Sequence, residues 1–63
     1  MARLTIRIPA AAGRLRSRLF AIGAVHRETS LDDGQQELEL AIPHEQFDRI
    51  CRQEGIDPDR LHA

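Results

Sequence analysis

A chain of 63 residues, 41% hydrophobic and 30% charged, is long enough for one small core, which excludes both a disordered segment and a two-domain protein. Its formal net charge of −1 at pH 7 gives no global field toward nucleic acid or anionic lipid, so any such contact needs a local patch. Cys51 is the single cysteine; no internal disulfide can staple the fold, and a reducing, cytoplasmic setting is expected.

The opening Met1-Ala2-Arg3-Leu4-Thr5 lacks the apolar core of a signal peptide, and no apolar run approaches the roughly 20 residues of a membrane span. From Arg3 to Ile8 apolar and polar residues alternate, with Leu4, Ile6 and Ile8 on one side, which predicts a half-buried strand closed by Pro9. Between Ala10 and Ile22 the spacing changes to three and four. Ala12, Leu15, Leu19 and Ile22 form a helical stripe, and Gly23 supplies a left-handed stop.

Ala24 to Ser30 reads as a second strand, joined through the Leu31-Asp32-Asp33-Gly34 turn to a third from Gln36 to Ile42, which Pro43 closes. Phe47, Ile50 and Cys51 mark a second helix ending near Gly55. Residues 56–63, with Pro58, are expected to be a tail that leaves the first strand with a free edge.

Two halves thus share one grammar of strand, proline, helix and glycine. The expected fold class is α+β: a βαββα split-βαβ of ferredoxin-like type lacking its fourth strand, with a three-stranded antiparallel sheet and two helices on one face. A right-handed crossover gives the order 1-3-2. Arg3 and Arg7 should then lie across from Glu37 and Glu39 on the open face.

Chemistry is sparse. The chain contains no lysine and no asparagine, so neither a P-loop closed by Lys nor a guanine-reading Asn-Lys-x-Asp segment can be formed from it. His26, His44, His62 and Cys51 lack metal-ligand spacing, and no metal site is expected. His26 is assigned to the open sheet face, His44 to the cap of the second helix, and Cys51 to the core as an inert thiol. Phe20 and Phe47 both fall on helices, which leaves the sheet without stacking platforms for bases.

The candidate contact residues are Arg14, Arg16 and Arg18. At 100° per residue Arg14 and Arg18 share an exposed face and Arg16 lies on the other flank. They form either a solvated face or a small cationic ridge for RNA phosphate or an acidic protein surface.

Gly13-Arg14-Leu15-Arg16-Ser17-Arg18, Phe20, Ala24-Val25, the Asp32-Asp33-Gly34 turn, Pro43 and Arg49-Ile50-Cys51-Arg52-Gln53-Glu54 together resemble the C-terminal domain of HflX-type GTPases. The resemblance implies a non-catalytic accessory domain of a protein that binds the large ribosomal subunit, through rRNA or a stalk-base protein, and helps rescue or split stalled or stressed ribosomes. GTP and Mg would be cofactors of the parent protein, whose GTPase domain would neighbour this one. No catalytic, cofactor or metal residue is expected in this chain. The alternative is a small ferredoxin-like regulatory or assembly module that forms a homodimer through its exposed edge strand.

Overall fold

A computed structural model describes residues 2–62. The alternation at the start of the chain forms β1 (Ala2–Ile8), in which Leu4, Ile6 and Ile8 are buried. Pro9 is extended, and a short 3-10 turn over Ala10–Ala12 precedes α1 (Gly13–Ala21). The helical stretch is therefore divided: Ala12, at φ −89° and ψ 35°, steps out of the helical region between its two pieces.

β2 (Val25–Ser30) and β3 (Gln36–Ile42) follow, and α2 (His44–Gln53) starts directly after Pro43. The sheet is antiparallel in the order β1-β3-β2. Leu4 stands across from Leu40 and Ile6 from Leu38. These residues pack with Leu15 and Leu19 of α1 and with Phe47, Ile50 and Cys51 of α2 in one cluster, so both helices cover the same face. The expected α+β class and strand order are met.

Both helices end the same way. Gly23 and Gly55 adopt φ +73° and +72°, where a Cβ would be strained. In each case the next amide reaches back five residues, Ala24 to the Leu19 carbonyl at 3.1 Å and Ile56 to the Cys51 carbonyl at 2.8 Å. This pairing satisfies the carbonyls that a helix end leaves open, and it turns Ala24 and Ile56 back toward the core.

Four expectations need correction. Ile22 is not in the buried stripe; as the residue that caps α1 it is 48% exposed. His44 is the first residue of α2 and makes no capping bond, since Pro43 holds the cap position. The stretch after Gly55 is more than a tail: Leu61 is buried, its carbonyl accepts from the Arg7 amide at 2.7 Å, and His62 bridges Ile6 in antiparallel sense. The outer edge of β1 is thus covered at its C-terminal end. Finally, Arg7 does oppose Glu37, at 3.5 Å, but Arg3 opposes Ala41, and Glu39 pairs with Arg27 of β2 at 3.4 Å.

Candidate functional site

Helical periodicity separates the three arginines of α1 as expected, and the fold gives each an acidic partner. Arg14 and Arg18 converge on one carboxylate: Arg14 Nε lies 3.3 Å from Glu54 Oε1, and Arg18 Nη1 lies 3.2 Å from Glu54 Oε2. Glu54 stands there because it caps α2, immediately before the left-handed Gly55. Arg18 also donates to Gln53 Oε1 at 2.8 Å. Only 11% of the Glu54 side chain is exposed, against 90% of Arg14, so solvent reaches the pair from the Arg14 side.

Arg16, on the opposite flank, meets Glu28 of β2. Its Nε and Nη2 donate to the two carboxylate oxygens, the second at 2.9 Å, in the two-pronged geometry that arginine favours. These bonds from Arg16 hold the Glu28 carboxyl below its ordinary range, and they raise the guanidinium in turn. The Arg16 guanidinium also lies 4.7 Å from the centre of the exposed Phe20 ring, at cation–π distance.

The ridge of three cations is therefore shared with two carboxylates. Sequence reasoning missed Glu28 and Glu54. Alternation could have placed Glu28 on the helix side of β2, because it stands across from the buried Leu38. Nothing local signals that the end of α2 abuts α1.

Among the described residues no hydrogen bond or ion pair joins Cys51, His26, His44 and His62 to one another. Cys51 is fully buried; burial, with a smaller contribution from the Asp48 carboxylate, pushes its thiol up to about 11. Such a thiol is a poor nucleophile at neutral pH. His26 lines the open sheet face and His62 stacks edge-on against Phe47, at 5.9 Å between ring centres. Among the described residues no three His, Cys, Asp or Glu side chains gather as metal ligands, and no helix is long and apolar enough to cross a membrane.

Fold and surface together define a small α+β domain with one core and a charged, self-bridged helical face. In sequence this chain is 37% identical over 61 residues to GTPase HflX of Escherichia coli (strain K12). The match takes in 97% of the chain and spans 14% of the length of that relative. The resemblance to HflX-type GTPases is borne out, and the chain is similar to a domain-sized part of such a protein. No protein-family model matches the chain, and no solved structure matches it significantly.

Proposed function

We propose that this chain is the non-catalytic, C-terminal accessory domain of a cytoplasmic HflX-type GTP-binding protein, and that it helps the parent engage the large ribosomal subunit when ribosomes are stalled or stressed. The similarity to HflX carries the reading. The parent would bind GTP and Mg in its neighbouring GTPase domain, and this domain would supply a docking contact through Arg14, Arg16 and Arg18. Arg14 would lead, being the most exposed, while Arg16 and Arg18 are steadied by Glu28 and Glu54. A guanidinium held this way keeps unused N–H donors for a phosphate or carboxylate, and it loses less side-chain freedom on binding.

The test is sedimentation of the parent protein with purified large subunits, comparing wild type with the Arg14→Ala/Arg16→Ala/Arg18→Ala variant. Arg14→Ala alone serves as the version that leaves the internal bridges of Arg16 and Arg18 in place. Weaker binding by both variants, with a shallower salt dependence, is expected. Unchanged affinity in the triple variant would remove the three arginines from the contact.

A further inference from the structure

The other face of the sheet carries a cation that the fold leaves without an acid. Arg7 is answered by Glu37 and Arg27 by Glu39. Arg3 instead stands across from Ala41, and among the described residues it forms no ion pair.

The edge strand adds a second element. Between Val25 and Arg27 the register of β2 slips by one residue: Val25 pairs with Leu40 and Arg27 with Glu39, so His26 is supernumerary. Such a bulge re-aims a side chain and is common beside binding sites. Here it brings His26 onto the face where Arg27 lies, and the two border a concavity of about 310 Å³ whose wall also includes Arg3, Thr5 and Glu39.

We propose that this concavity is a phosphate site on the open sheet face, built from Arg3, Thr5, His26 and Arg27, that takes the backbone of a single-stranded nucleic acid. A guanidinium fork, an imidazole N–H and a hydroxyl approaching from different strands suit a tetrahedral oxyanion better than a planar carboxylate. The face bears no aromatic side chain, since both phenylalanines lie on helices. Bases therefore have no platform, and binding reads the backbone without regard to sequence. Glu39 is the one acid present, and it is engaged by Arg27. This surface lies across the sheet from the arginines of α1, so it stands or falls independently of the contact proposed for them.

The experiment is an amide-shift titration of the 15N-labelled chain with three probes: a 12-nucleotide oligouridylate, inorganic phosphate and a poly-glutamate peptide. The oligouridylate should shift Arg3, Thr5, His26 and Arg27 saturably, and inorganic phosphate should move the same amides more weakly. The logarithm of the affinity for the oligouridylate should fall linearly with the logarithm of salt concentration, with a slope of about 0.7 per phosphate engaged. Arg3→Gln/His26→Gln changes only exposed side chains and keeps the fold. It should weaken binding at least about fivefold, as expected for losing one charged hydrogen bond, whereas Arg49→Gln, at an exposed position of α2, should change it less than about twofold. Shifts confined to α1, an unchanged affinity in the double variant, binding of inorganic phosphate without the oligonucleotide, or binding of the poly-glutamate peptide in its place would each overturn the proposal.

Discussion

The two strand-helix halves are built alike yet spend their aromatic residues in opposite ways. Each has an alternating strand, a proline, a helix and a left-handed glycine that returns the chain to the core. In the second half Phe47 sits on the inward stripe of α2 and is fully buried. In the first half Phe20 follows the buried Leu19 by one residue, 100° around the helix, and is 44% exposed. A half whose aromatic residue seals the core contributes chiefly stability, whereas a half that leaves it outside keeps a surface on which Arg16 can rest.

The most severe way to break this contrast is Phe47→Ala. Removing a fully buried aromatic ring costs about 3–5 kcal/mol, a large part of the stability available to so short a chain. The variant should lose its cooperative unfolding transition in a urea titration followed by circular dichroism. A midpoint near that of the wild type would mean that α2 does not anchor the core. Leu61→Ala comes next, at about 2 kcal/mol, the low end for truncating a buried leucine, because Leu61 closes the margin of the core. A negligible effect would return residues 56–62 to the status of a tail.

Leu61 marks where the sequence stopped being legible. Alternation at period two gave β1 and β3 almost to the residue, and a stripe at period three to four gave the buried face of α2, because these patterns are set by which face meets the core. The stretch Ile56-Asp57-Pro58-Asp59-Arg60-Leu61-His62 has no period: Asp57 accepts from the Asp59 amide and starts a single 3-10 turn, and the burial of Leu61 depends on where β1 and α2 happen to lie. The arginine site divides the same way. The angular placement of Arg14, Arg16 and Arg18 follows from helical geometry, but their partners Glu54 and Glu28, 40 and 12 residues on from Arg14 and Arg16, are brought in only by tertiary folding. Arg3 failed for a simpler reason: it lies four residues from Arg7, whereas Glu37 and Glu39 are two apart, so once Arg7 faces Glu37 the ladder sets Thr5 against Glu39 and Arg3 against Ala41.

Cys51 sharpens the contrast from within the second half. Its thiol is raised to about 11 from an ordinary 9.0, by burial first and by Asp48 second. A group whose folded pKa is raised contributes its full stability below the unfolded value and loses it as pH climbs through the folded one. Stability should therefore hold up to about pH 9 and decline toward pH 11. The chain has neither lysine nor tyrosine and arginine stays protonated, so this window belongs to Cys51 almost alone. Urea midpoints at pH 8 and pH 10.5 should separate for the wild type and coincide for Cys51→Ala. At pH 8 iodoacetamide should label the native thiol only as fast as the domain opens.

The smallest effect is expected where the first half exposes its aromatic residue. Phe20→Ala removes a ring already in contact with water and a cation–π contact of the kind worth about 0.5–1 kcal/mol at exposed sites, so the midpoint should shift by less than for Leu61→Ala. Arg16 should stay in place, because its two bonds to Glu28 do not involve the ring. The carboxyl of Glu28 is lowered by those bonds; their contribution is present at neutral pH and is lost as pH falls through the lowered value. Phe20→Ala should therefore leave the acid limb of the stability profile unchanged, while Glu28→Gln should flatten it. Both positions touch Arg16, yet a double-mutant cycle between them should return little coupling, because the bonds of Arg16 to Glu28 do not run through the ring. A larger coupling would mean that ring, guanidinium and carboxylate act as one unit, and that the exposed face of α1 is built as deliberately as the buried face of α2.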